Sequence, residues 1–217
     1  MRKAMKRFDT SLYFVTDSTG LEDEVFFDKV ERACRGGVTL LQLREKERST
    51  REYLALAEGV HKIAARHKIP LLIDDRVDVA LASEAEGVHL GQSDMPVFLA
   101  RKLLGEGAII GATAKTVEQA EEACRQGADY LGVGAIYPTT TKVKTSPMPV
   151  ELLKKIRAAS TVPVNAIGGL TKDNLGILKD SGIAGICVVS AIMKAEDPER
   201  AARELREAYQ SLKGAAE

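Results

Sequence analysis

Short apolar runs alternate with segments of helical periodicity along the whole chain. The apolar runs are rich in aliphatic and β-branched residues, and such runs are typical of buried strands. Eight strands are predicted in this way, at 12–16, 38–42, 71–73, 87–90, 108–111, 130–134, 162–167 and 186–189. The segments between and after them predict helices at 26–35, 50–64, 77–83, 96–104, 117–126, 150–159, 172–180 and 197–212.

This alternation predicts an α/β protein with a parallel sheet, because strands that are apolar throughout are buried on both faces. Eight such units in 217 residues fit a closed, single-domain (β/α)8 TIM barrel better than an open doubly wound sheet. The sequence has neither a Gly-x-Gly-x-x-Gly motif after its first strand nor a Gly-Lys-Ser phosphate loop. The domain is expected to span 1–217, with 1–10 as an N-terminal extension and 213–217 as a frayed tail.

The charge balance argues against polyanionic partners. Lys and Arg number 31 and so do Asp and Glu, so neither nucleic acid nor a membrane is an expected partner. Cys34, Cys124 and Cys187 are far apart in the sequence and are expected to be reduced thiols. The basic start lacks an apolar signal core, and no run reaches membrane-spanning length, so a cytoplasmic location is expected.

Polar residues concentrate where the predicted strands end. In the segment 42–46, Gln42, Arg44 and Lys46 share one face, while Leu43 and Glu45 lie on the other. The carboxyl ends of the strands in a barrel meet on one face, where active sites form. The residues expected to converge there are Gln42, Arg44, Lys46, Asp74, Asp75, Gln92, Asp94, Thr113, Lys115, Thr139, Thr141, Lys142, Gly168, Gly169, Val189 and Ser190.

Asp75 and Asp94 follow successive strands and could bind a divalent cation. Two carboxylates with water and phosphate oxygens form a usual arrangement for Mg²⁺. The alternative is that each carboxylate caps a helix or pairs with a nearby arginine such as Arg76. Lys142 could hold a diphosphate together with the cations of 42–46, or could be a solvated loop lysine.

Small residues follow the last two strands. Gly168-Gly169 and Val189-Ser190 occupy the position where barrels commonly bind a phosphate through backbone N–H groups. The alternative is that these residues only form the ordinary turns that lead from a strand into the next helix. A second phosphate region beside a metal site predicts two phosphorylated substrates.

Histidine is scarce, so Ser-His-Asp and Cys-His nucleophilic catalysis are not expected. His89 fits a hydrogen-bonded barrel residue as well as it fits a catalytic one.

Five motifs, taken together, resemble the thiamine-phosphate synthase family over nearly the whole chain. They are QLREK at 42–46, DDR at 74–76, HLGQSD at 89–94, YPTTTK at 137–142 and IGG at 167–169. The resemblance implies a TIM-barrel transferase of thiamine biosynthesis. It would join 4-amino-2-methyl-5-(diphosphooxymethyl)pyrimidine to 4-methyl-5-(2-phosphoethyl)thiazole, giving thiamine phosphate and diphosphate.

The resemblance also implies roles for individual residues. Asp75 and Asp94 would bind Mg²⁺, and Gln42 would face the pyrimidine. The catalytic cations that hold the diphosphate would be Arg44, Lys46 and Lys142. The thiazole phosphate would be held by Thr139, Thr141, Gly169, Val189 and Ser190. The remaining substrate-binding residues would be Leu43, Glu45, Asp74, Thr113 and Thr140.

Three residues depart from the family pattern. Asp74 stands where Asn is usual, Thr113 where Ser is usual, and Lys115 where His is common. Two alternatives stay open, a thiazole tautomerase on the same barrel and a non-catalytic barrel that binds thiamine phosphates as a regulator. The sequence also leaves open whether the protein forms a homo-oligomer.

Overall fold

The protein forms a closed barrel of parallel strands, which confirms the predicted TIM-barrel fold. The computed structural model describes residues 8–139 and 146–214. Neighbouring strands pair in chain order, and β8 pairs with β1 to close the ring. The strands are β1 Leu12–Val15, β2 Leu40–Leu43, β3 Leu71–Asp74, β4 Gly87–Leu90, β5 Ile109–Ala114, β6 Tyr130–Gly134, β7 Val164–Ile167 and β8 Gly185–Val188.

Helices connect the strands and form the outer layer. They are α1 Asp23–Arg35, α2 Thr50–His67, α3 Val77–Ala82, α4 Val97–Leu104, α5 Val117–Arg125, α6 Val150–Ala159, a 3₁₀ helix Leu175–Leu178, α7 Ser190–Met193 and α8 Pro198–Gly214. A capping box starts α2: Ser49 caps the Glu52 N–H, and the Glu52 side chain accepts from the Ser49 N–H. Within the described ranges, no helix has the length and apolar character needed to cross a bilayer.

The segment 172–180 does not form the predicted α-helix. Only Leu175–Leu178 is helical, as one 3₁₀ turn. The Asn174 side chain holds the preceding residues in a turn, because it accepts from the Thr171 N–H and donates to the Gly169 carbonyl. Gly176 further lowers the helix propensity of the segment.

Strand alternation produces two separate cores. Side chains such as Leu41, Leu43 and Ile73 point outward and pack against the helices in the large core. Alternate residues point inward and fill the barrel, where the buried side chains are Tyr13, Val15, Leu40, Leu72, Ile109, Tyr130 and Cys187. All three cysteines are free thiols.

The end of the predicted N-terminal extension closes the amino-terminal mouth of the barrel. The carbonyl of Thr10 accepts a hydrogen bond of 2.7 Å from the buried Asn165 side chain. Gly185 permits this approach, because a Cβ there would lie 1.8 Å from the Thr10 carbonyl oxygen. Phe8 packs edge-on against Tyr130 with 5.9 Å between ring centroids. At the other end of the chain, α8 continues through Gly214. Residues 1–7 and 215–217 lie outside the described ranges.

Arg101 ties together the loop between α4 and β5 and the loop between α5 and β6. Its guanidinium donates to the carbonyls of Gly105, Ala108 and Gly127, and it forms an ion pair of 2.6 Å with Asp129. Both side chains of the pair are largely buried. Loss of the guanidinium would leave a carboxylate and several carbonyls without their partner.

Replacing Arg101 with Met should therefore lower the free energy of unfolding by about 3–5 kcal/mol, as for other buried pairs that lose one partner. Urea denaturation followed by circular dichroism measures the effect. Arg125→Met is the matched control, because Arg125 forms an exposed ion pair with Glu122 and should cost less than about 1 kcal/mol. Equal losses in the two variants would contradict this role of Arg101.

Candidate active site

A cavity opens at the carboxyl ends of the strands, where the sequence places most of the candidate residues. The structure brings eleven of these residues to its wall: Gln42, Arg44, Asp74, Asp75, Thr113, Lys115, Thr139, Gly168, Gly169, Val189 and Ser190. The polar ends of β2, β3, β5, β7 and β8 therefore surround one space.

The end of β2 sends alternate side chains in opposite directions, as predicted. Gln42 and Arg44 line the cavity. Gln42 is buried, and among the described residues its amide Nε2 has no hydrogen-bond partner. Buried polar groups are normally hydrogen-bonded, so this amide is available to bind a ligand.

Leu43 and Glu45 point away from the cavity. Leu43 is fully buried in the core between barrel and helices. Glu45 accepts a hydrogen bond of 2.7 Å from the Ser18 hydroxyl, which ties the β2 loop to the β1 loop. Burial raises the pKa of the Glu45 carboxyl. These two side chains thus support the β2 loop from behind, whereas their neighbours face the cavity.

Lys46 lies between the carboxylates of Asp74, the last residue of β3, and Asp75, which follows it. Its Nζ is 2.7 Å from Asp74 Oδ2 and also forms an ion pair with Asp75. Arg44 Nε is 3.9 Å from the same Asp74 oxygen. Burial raises the pKa of Asp74, and the neighbouring Asp75 carboxylate adds to this effect. Desolvation acts to lower the pKa of Lys46, but the charges of Asp74 and Asp75 outweigh it and the net shift is upward.

Asp75 and Asp94 converge from successive strand ends. Asp75 has the left-handed φ of 59° that turns its side chain out of the strand direction. The Asp94 carboxylate accepts from the Gly91 N–H at 2.7 Å. Burial raises the pKa of Asp94, and a hydrogen bond with Asp75 raises it further. Arg76 pairs with Asp78, whereas Asp75 pairs with Lys46.

Two adjacent carboxylates at the mouth of a cavity fit a divalent cation whose remaining ligands come from water and substrate. Within residues 8–139 and 146–214, no group of three or more His, Cys, Asp and Glu side chains is placed to hold a metal. The chain itself would thus supply a minority of the ligands to a cation at Asp75 and Asp94.

The turn after β7 contributes glycine backbone to the cavity wall. Gly168 and Gly169 have φ values of 104° and 65°, which favour glycine. A Cβ on Gly169 would also lie 2.6 Å from the Cβ of Tyr137. The Gly168 carbonyl accepts from the Tyr137 N–H at 3.0 Å. Glycine is thus required for the β7 turn to pack against the loop that follows β6.

A chain of hydrogen bonds forms the floor of the cavity. His89 contacts the Thr113 hydroxyl through Nε2 at 3.0 Å and the Tyr130 hydroxyl through Nδ1 at 2.9 Å. Tyr130 in turn contacts the Tyr13 hydroxyl at 2.8 Å. His89 is therefore a hydrogen-bonded barrel residue. Tyr13 lines the cavity too, although it lies in the middle of β1 and the sequence pattern at strand ends does not indicate it.

Thr140, Thr141 and Lys142 lie outside the described residues, so their predicted roles stay predictions.

Comparison with known proteins agrees with the resemblance. The sequence pattern described as thiamine monophosphate synthase matches residues 12–192, which include all eight strands. Thiamine-phosphate synthase of Methanobrevibacter smithii is 44% identical over 207 residues, which cover 95% of this chain and 99% of that protein. Thiamine-phosphate synthase 2 of Streptococcus pneumoniae serotype 4 is 50% identical over 195 residues, or 90% of this chain and 93% of that protein.

Solved structures agree as well. Thiamine phosphate pyrophosphorylase from Pyrococcus furiosus is 39% identical and has a TM-score of 0.83, with 93% of this chain and 96% of that chain covered. A 3-hexulose-6-phosphate synthase structure, at 19% identity and a TM-score of 0.71, shares the fold. The superposition covers 92% of this chain and 99% of that chain. From the family pattern, the identities and the coverage, the chain belongs to the thiamine monophosphate synthase family.

Proposed function

We propose that the protein joins a pyrimidine methyl diphosphate to a thiazole ethyl phosphate, and so forms thiamine phosphate and releases diphosphate. The observation that carries the proposal is the grouping of Arg44, Lys46, Asp75 and Asp94. Arg44 and Asp75 line the cavity that also contains the Gly168-Gly169 turn, Lys46 pairs with Asp75, and Asp94 is hydrogen-bonded to Asp75. Family membership supports the same reaction. The full substrates are those named above from the resemblance.

The charged end of the cavity would bind the leaving group. Arg44 and Lys46 would contact the diphosphate oxygens, with Lys142 as a third cation. Asp75 and Asp94 would hold Mg²⁺, which when bound neutralises part of the charge on the departing diphosphate. Fixed cations aimed at the position where negative charge develops lower the barrier to breaking the C–O bond.

The reaction requires no general base, because the attacking thiazole nitrogen carries no proton. The electron-rich aminopyrimidine can support the positive charge that develops on its methylene carbon. Gln42 would orient the pyrimidine through its unpaired amide, and Thr113 would line the same space. Positioning and charge stabilisation then account for the catalysis, in agreement with a cavity that holds a single histidine, His89, on its wall.

The thiazole phosphate would bind at the other end. Gly169, Val189 and Ser190 line that wall, and strand ends seven and eight of a barrel commonly bind phosphate through backbone N–H groups. Thr139 would add a hydroxyl, and the resemblance adds Thr141. The two phosphate sites would align the thiazole nitrogen with the reacting carbon.

Incubation of the protein with both phosphorylated substrates and Mg²⁺ should yield thiamine phosphate and diphosphate, measured by chromatography. Asp94→Ala should reduce this magnesium-dependent turnover by at least about a hundredfold, because one of two proposed metal ligands is lost. Asp28→Ala, a change on α1 beside Arg32, should retain full activity. Undiminished wild-type turnover in excess chelator would reject the metal role of Asp94.

Arg44→Ala should lower kcat/KM by a factor that corresponds to about 2–4 kcal/mol of transition-state stabilisation, the scale for one removed charge donor. Steady-state kinetics with the pyrimidine substrate varied gives the value. Arg51 is exposed on α2, and Arg51→Ala should change kcat/KM by less than about twofold from the wild-type value. An unchanged kcat/KM in Arg44→Ala would remove this residue from the leaving-group site.

A further inference from the structure

Asp74 is a buried carboxylate that binds the cations proposed to hold the leaving group. The residue is only 8% exposed and lies on the wall of the cavity. Its Oδ2 is 2.7 Å from Lys46 Nζ and 3.9 Å from Arg44 Nε. A single carboxylate oxygen therefore lies close to both cations.

This arrangement places an excess of negative charge at the leaving-group end. Asp74 and Asp75 pair with Lys46, Asp74 also lies near Arg44, and Asp94 is hydrogen-bonded to Asp75, so three carboxylates are grouped with these two cations. A diphosphate carries further negative charge and must share those cations. Two like charges within a few ångströms repel each other, and burial strengthens the effect.

A bound cation can neutralise the negative charges of Asp75 and Asp94, but Asp74 is not one of these two proposed metal ligands. Asp74 is the last residue of β3, and its side chain is more buried than that of Asp75, at 10% against 27% exposure. An ionised carboxylate also lacks a proton to donate to a phosphate oxygen. Asp74 can hold Lys46 and Arg44 in place, but it cannot itself attract a diphosphate.

We propose that Asp74 is a positioning residue that aligns Lys46 and Arg44 in the free enzyme and then competes with bound diphosphate for them. The competition weakens the binding of the product and speeds its release. The inference rests on the proposed function, because it assumes that these two cations contact the diphosphate. It adds a distinct role for a third carboxylate, which weakens the binding of the leaving group.

The test is the affinity of the wild-type protein and of Asp74→Asn for inorganic pyrophosphate at saturating Mg²⁺, measured by calorimetry. The substitution conserves size, removes the charge and adds an N–H donor. The dissociation constant of the variant should be lower by at least about threefold, because one repulsive charge near the ligand is lost. Pyrophosphate should also inhibit turnover of the variant at correspondingly lower concentrations. Asp74→Ser, which removes the charge with a smaller side chain, should change the affinity in the same direction.

Asp78→Asn is the matched control, since Asp78 lies close in sequence but pairs with Arg76 on the surface. It should leave the affinity for pyrophosphate unchanged. Equal or weaker binding by both Asp74 variants overturns the proposal, and weaker binding would make Asp74 a support for the metal. Calorimetry measures pyrophosphate binding without turnover. A wild-type protein that binds pyrophosphate but forms no thiamine phosphate would refute the proposed reaction. The affinities of the Asp74 variants would then still decide the role of Asp74.

Discussion

Lys46 lies between Asp74 and Asp75, and this ion-pair group is the interaction on which the rest of the site depends. Charged side chains at the end of a buried strand are costly unless they are paired. Here each charge has a partner on the neighbouring strand end, because β2 pairs with β3 and β3 with β4. The barrel thereby fixes the cations and carboxylates close together before any substrate binds, at the face where parallel strands end.

The interior of the barrel supports this group from below. Strand alternation gives the protein one core outside the barrel and a smaller one inside it. The inner core is not wholly apolar, since Tyr13, Tyr130, His89 and Thr113 are joined by hydrogen bonds between their side chains. Such a connected network satisfies its buried polar groups and fixes their orientations. The Thr113 hydroxyl that reaches the cavity is therefore held by contacts that extend deep into the barrel.

Periodicity and strand ends were enough to predict much of this arrangement. Apolar strands that alternate with helices fix a parallel barrel, and the barrel places Gln42, Arg44, Asp74 and Asp75 around one opening. The identity of each ion pair was not predictable, because the sequence does not tell whether Asp75 meets Arg76 or Lys46. The backbone decides this, since the left-handed φ of Asp75 directs its carboxylate toward the β2 loop.

Other features were missed because tertiary contacts override local pattern. Asn174 holds the residues after β7 in a turn, so the helical pattern of 172–180 yields only one 3₁₀ turn. Tyr13 was missed because a tyrosine inside a strand looks like core, and only closure of the barrel puts it on the cavity wall. Counting inward-facing positions along each strand, as well as strand ends, would have found it.

The central claim is that charged residues distant in sequence form one site for a departing diphosphate. A crystal structure of the protein with pyrophosphate and Mg²⁺ tests it most directly. The pyrophosphate is expected to lie against Arg44 and Lys46, with a cation held by Asp75 and Asp94. Pyrophosphate bound elsewhere on the barrel, with Arg44 and Lys46 still paired only to their carboxylates, would contradict it.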